Sequence, residues 1–172
     1  MLLIAQIIGI LAVTTYLLSY QLKQRKHIIV VNATGSALYV LQYVLLGALE
    51  GAAIDVFAAL GAIIAHNKDK KFIAKHKVLV IVLLNLAFLA TGVVLYKNIF
   101  SLFPIAGAML QTSALWLTCE KKIRLVSFLG TPFWLIYNFT CQAYGSAFGS
   151  ILCIISIGSA IYRYDIRPAR KH

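Results

Sequence analysis

The sequence predicts an all-α, polytopic membrane protein with seven transmembrane helices, arranged as parallel triple-helix repeats in a three-plus-one-plus-three layout. Three observations carry that expectation. Hydrophobic residues make up 61% of the 172 residues and charged residues 12%, against roughly 45–50% and about 25% in soluble domains. The apolar residues gather into seven runs, with the basic residues clustered between them. The two ends of the chain also align on each other without gaps at an offset of 98 positions.

The runs are Leu2–Tyr20, Ile28–Leu46, Gly51–Ala65, Val78–Tyr96, Phe100–Thr118, Ile123–Cys141 and Gly145–Tyr162. Most lie near the lower end of the roughly 17–25 residues that a spanning helix needs. The first starts at Met1 without a basic stretch before it and ends in a basic loop, so it reads as a span and not as a cleaved signal peptide. The second carries the polar series Asn32, Ser36, Tyr39 and Gln42, and the short third contains Asp55. The fourth has the single polar residue Asn85, and the fifth opens near Pro104 and holds Gln111 and Thr112. The sixth combines Pro132 with Trp134, Tyr137 and Asn138. Short connections make neighbouring helices antiparallel and leave little chain for a soluble region. The expected organisation is a single integral membrane domain over 1–172, with a first triple-helix unit at 1–66, a linker helix at 78–96 and a second unit at 100–164.

Charge sets the expected orientation. Of the sixteen Lys and Arg residues, only Lys97 falls on the side that holds Met1. Lys23, Arg25 and Lys26, then Lys68–Lys77, Lys121–Arg124 and Arg163–Lys171 all fall opposite. Excess Lys and Arg mark the cytoplasmic face, so the amino terminus is expected in the periplasm and the carboxyl terminus in the cytoplasm. The formal charge of +11 is accounted for by this pattern, and nucleic acid is not implied. The densest cluster, His66–Lys77, is also a candidate contact for anionic headgroups or an anionic solute at the cytoplasmic mouth.

At the offset of 98, Gly9 meets Gly107, Tyr39 meets Tyr137, Gly47 meets Gly145 and Gly51 meets Gly149. The glycine pairs bracket the turn between the second and third helices of each proposed unit. A unit of three helices needs a connecting span if both units are to point the same way.

Asp55 is the one acidic residue well inside an apolar run. A carboxylate in hydrocarbon costs about 2.5–3.5 kcal/mol on insertion scales, so it should face the bundle or a wet cavity, where a proton relay or a cation contact suits it. The competing reading is that it caps the short helix or reaches the headgroups. Asn32, Ser36 and Tyr39 share a helical face, and Asn138 joins Tyr137 and Trp134 on the sixth helix. These residues, with Gln42 and Asp55, are the candidate solute-binding or pathway residues. They equally suit interhelical hydrogen bonding, which averages about 0.6 kcal/mol per pair in membranes. Pro132 removes a backbone bond and is the candidate hinge.

Catalytic signatures are missing from the sequence, so an enzyme is not expected. No His–Glu–x–x–His, phosphate-cradling glycine loop or serine elbow occurs. Cys119, Cys141 and Cys153 are widely spaced and odd in number, and the four His residues sit at the basic face. Neither a metal site nor a cofactor is expected. The partners expected are the lipid bilayer and a small-molecule solute; pairing into a homo-oligomer is open, with no interface legible.

The opening QIIGILAV, the stretch ALYVLQYVLLGALEGA and the closing GSAIYRYD resemble the YgjV type of small bacterial inner-membrane protein over nearly the full length. The layout is also similar to the wider superfamily of SWEET, PQ-loop and PnuC-type transporters. That resemblance implies solute carriage by alternating access. The chain departs from it in having no PQ pair: Gln111 follows Leu110 without an adjacent proline, and Thr34 stands where the second unit has Pro132. The expected function is therefore binding or transport of a small solute through a cavity between the helices; the alternative is a non-transporting scaffold or sensor.

Overall fold

The computed structural model describes residues 1–19 and 25–166. Tyr20, at the end of the first expected run, and Lys23, Arg167, Arg170 and Lys171, read above as topology residues, lie outside them. The described chain is all-α: α1 (Leu2–Ser19), α2 (Arg25–Leu45), α3 (Leu49–His66), α4 (Lys71–Lys75), α5 (Lys77–Val94), α6 (Leu102–Ala114), α7 (Glu120–Thr140) and α8 (Tyr144–Ile161). A 3₁₀ turn at Ile99–Ser101 leads into α6, and a π-helical turn at Tyr162–Ile166 ends α8.

The expectation of seven spans in triple-helix repeats is corrected. Among the described residues, three helices are long and apolar enough to cross a membrane: Leu49–His66, Lys77–Val94 and Tyr144–Ile166. Leu2–Thr15 and Ile99–Ala114 are apolar but shorter. The thirteen residues of α6 extend about 20 Å at 1.5 Å per residue, short of a hydrocarbon core of about 30 Å. The sequences of α2 and α7 open on Arg25–Lys26 and Glu120–Arg124 and continue through polar residues, which lowers their apolarity. Continuous runs of hydrophobic letters overstated how much uninterrupted apolar helix the chain contains.

Helix packing closes a ring. α1 packs on α2, α2 on α3, α3 on α6, α6 on α7, α7 on α8, and α8 returns to α1; α5 lies outside, against α3 and α6. The bundle exposes large apolar side chains and buries several polar ones among its apolar contacts. Leu3, Ile7, Leu83, Val93, Phe148 and Ile155 are exposed, while Gln42, Thr112, Thr131, Asn138 and Ser146 are buried. That inversion suits lipid as the outer solvent, since burying polar groups inside and exposing aliphatic ones outside is unfavourable in water.

Two tight turns place the helices that matter most. α2 ends on Gly47 at φ +69°, and α7 ends on Gln142 at φ +59°. Ala48 N donates to Tyr43 O at 2.9 Å and Gly47 N to Val44 O at 3.1 Å; Ala143 N donates to Asn138 O at 2.8 Å and Gln142 N to Phe139 O at 3.2 Å. Both are Schellman caps, in which a left-handed residue lets two amides satisfy the last carbonyls. Gly47 thus corresponds to Gln142, and not to Gly145 as the sequence alignment has it. Gly145 acts in helix packing instead. A Cβ there would lie 3.0 Å from the Gln6 carbonyl oxygen and from Ile10 N, so glycine lets α8 approach the backbone of α1.

Candidate functional site

Inside the ring is a cavity of about 950 Å³ lined from α2, α3, α6, α7 and α8. Its deep end is at Tyr43, Asn138 and Ser146, and it runs past Asp55, Gln111, Ser127 and Thr131 to Lys68, Asp69 and Arg124. Asp69 is exposed, so the cavity reaches the surface at the basic end. The small residues Ala58, Ala62, Ala108 and Gly149 line it and leave the space open.

Buried hydrogen bonds close the deep end. Tyr43 Oη donates to Asn138 Oδ1 at 2.7 Å, and Asn138 Nδ2 donates to Ser150 Oγ at 3.2 Å. Gly51 N donates to Tyr137 Oη at 3.0 Å, linking α3 to α7. Ser146 Oγ of α8 donates to Gln42 Oε1 of α2. Tyr43 stacks on Trp134 at 6.3 Å, and Trp134 meets Tyr137 edge-on at 6.3 Å. Below this layer, Lys97 Nζ lies 3.3 Å from Glu50 Oε2 and donates to Gly47 O at 2.6 Å. Gln6 binds the α7–α8 turn in both directions, its Nε2 donating to Gln142 O at 2.6 Å and its Oε1 accepting from Gly145 N at 3.0 Å.

The basic end is arranged differently. Lys68 Nζ donates to the carbonyls of Leu115 and Leu117 at 3.3 and 3.2 Å, and Lys77 Nζ to that of Trp116 at 3.3 Å. These ammonium groups cap the end of α6, where free carbonyls and the helix dipole favour cations. Arg124 forms a two-point pair with Asp165, at 3.0 Å from Nε to Oδ2 and 2.7 Å from Nη2 to Oδ1, and stacks over Tyr164 at 5.7 Å. That pair joins the start of α7 to the turn after α8. Several basic residues assigned above to topology are therefore also structural partners.

The structure sorts the candidate residues. Ser36, Tyr39, Asp55, Trp134 and Asn138 line the cavity. Gln42 and Tyr137 are buried in the helix contacts of the deep end. The side chain of Asn32 lies outside the described residues. Pro132 is inside α7; the Phe128 carbonyl loses its usual donor there, and Thr131 Oγ1 turns back to Ser127 O at 2.8 Å. Sequence reasoning missed Tyr43, Ser146, Ser150 and Gln6. Polar residues four apart within apolar runs, such as Ser146 and Ser150, were the available signal. Asp55 Oδ2 is buried and has no hydrogen-bond partner. Among the described residues no cluster of His, Cys, Asp or Glu could hold a metal ion, and the three cysteines are free.

An exterior rich in exposed apolar side chains, polar groups buried between helices and several helices able to cross a bilayer define a multi-pass membrane protein. The chain belongs to the Imp-YgjV family of bacterial inner membrane proteins, which it matches over residues 3–167. No curated protein and no solved structure matches it.

Proposed function

We propose that this inner-membrane protein binds a small polar solute in the cavity and carries it across the membrane. The observation that supports this most is the cavity itself: about 950 Å³, a largely apolar wall set with polar side chains such as Ser36, Asp55 and Asn138, and reaching the surface at the basic end. Its size falls within the roughly 300–1,000 Å³ of small-molecule sites. Ser36, Tyr39, Asp55, Trp134 and Asn138 are the contacts offered to the solute, with Ser127 and Thr131 nearer the mouth. Carriage requires the deep contacts Tyr43–Asn138, Tyr137–Gly51, Gln42–Ser146 and Glu50–Lys97 to part while the basic end closes, which is alternating access. Because Lys and Arg are retained on the cytoplasmic side, the basic end and the carboxyl terminus belong in the cytoplasm and the amino terminus in the periplasm.

Proteoliposomes loaded with a panel of radiolabelled polar solutes test the reading. At least one solute is expected to accumulate saturably above empty liposomes. Filling the cavity with Ser127→Trp should reduce that uptake about tenfold, a loss equivalent to about 1.4 kcal/mol. Uptake that ignores the tryptophan contradicts the assignment of the cavity, and no uptake of any solute leaves the chain a scaffold or sensor.

A further inference from the structure

We infer that the cavity selects organic cations, specifically solutes carrying an ammonium group beside an apolar or aromatic body. The inference rests on the proposed solute-binding role of the cavity and names its ligand class. It stands on the surroundings of Asp55. Asp55 Oδ2 is buried without a hydrogen-bond donor, although the carboxylate lines a space large enough for a ligand. A buried carboxylate oxygen is stable when a proton or a cation meets it. An ammonium solute supplies both the countercharge and the missing N–H donors.

The other walls suit the same ligand. Tyr39, Tyr43 and Trp134 share the cavity with Asp55, and Tyr43 and Trp134 stack on each other at 6.3 Å. Aromatic faces attract ammonium groups, tryptophan most strongly. Ser36, Ser146 and Ser150 add hydroxyl acceptors. A bare divalent ion does not fit, because calcium requires six to eight oxygen ligands and no metal-holding cluster occurs among the described residues. An anion is not favoured either. Arg124 at the mouth is neutralised by both oxygens of Asp165.

The test uses the full chain in lipid nanodiscs and three probes of one shape: benzylammonium, benzyl alcohol and benzoate. Binding is measured by isothermal titration. Benzylammonium is expected to bind at least about tenfold tighter than either other probe, and Asp55→Asn should remove that preference. Equal or tighter binding of benzoate or benzyl alcohol to the unmodified protein overturns the cation assignment and leaves the solute cavity intact. So does a cation preference that survives Asp55→Asn. Failure of all three probes to bind, together with failure of the whole uptake panel, overturns the cavity reading itself. The charge comparison on the unmodified protein decides the matter even if the variant fails to fold.

Discussion

Replacing Gly145 with leucine is expected to separate α8 from α1 and to destabilise the protein by about 2–3 kcal/mol, the usual cost of forcing volume into a packed interior. The new Cβ would sit 3.0 Å from Gln6 O, 3.0 Å from Ile10 N and 3.1 Å from Gly9 C. All three are backbone atoms, so no side-chain rotation relieves the clash. Moving the helices apart would also stretch the bond from Gly145 N to Gln6 Oε1, 3.0 Å in the intact protein. Gly158 provides the comparison, because a Cβ there meets Phe128 at an ordinary 3.6 Å. Gly158→Ala should unfold within about 1 kcal/mol of the unmodified protein. Thermal unfolding in one detergent measures both. Equal melting of Gly145→Leu and Gly158→Ala would mean that α1 and α8 do not approach this closely.

The second large effect is expected at Asn138. Its amide accepts from Tyr43 Oη and donates to Ser150 Oγ, and its side chain is buried. Asn138→Leu keeps the volume but strands the Tyr43 phenol, at about 1–3 kcal/mol for a group left buried without a partner, while Ser150 Oγ keeps its bond to Ser146 O at 3.1 Å. Tyr43→Phe removes one donor and should cost less. The double variant should be more stable than the sum of the two losses predicts, because no phenol remains to be stranded. The coupling should be on the order of 0.6 kcal/mol and at most about 1.7, the range for interhelical hydrogen bonds in a membrane. Strictly additive losses would place Tyr43 and Asn138 out of contact.

Much of the helix layout was legible because long apolar runs bounded by basic loops have few other uses. The expected run Ile123–Cys141 falls on α7 at Glu120–Thr140, and Gly145–Tyr162 falls on α8 at Tyr144–Ile161. Membrane span number was not legible. Hydrophobic letters do not show that α6 stops at Ala114, nor that the basic loop holds the short helix α4. The pairing of Gly47 with Gly145 failed for a physical reason. Glycine serves both left-handed turns and close helix contacts; Gly47 does the first and Gly145 the second, so aligning them pairs unlike functions.

The candidate site was legible in part. Asp55 and Asn138 stood out because polarity inside an apolar run is costly and needs a wet or hydrogen-bonded setting. The same signal cannot separate cavity from contact, which is why Tyr137 and Gln42 carry the same marks as Tyr39 and Ser36 yet serve helix packing. Arg124 and Lys68 were read as topology residues because charge at a helix end has that meaning before any fold is known. Their bonds to Asp165 and to the end of α6 depend on which helix ends the ring brings together.

Function on this reading depends on a solute cavity that opens at the basic, cytoplasmic end and is closed at the other. Cys153 lines the cavity, and Cys119 is exposed at the basic end. With Cys141 replaced by serine, a membrane-impermeant maleimide should modify both cysteines in inside-out vesicles and neither in right-side-out vesicles, and a bound solute should slow modification of Cys153 but not of Cys119. Modification of Cys153 from the periplasmic side alone, or from neither side while Cys119 reacts, would contradict it.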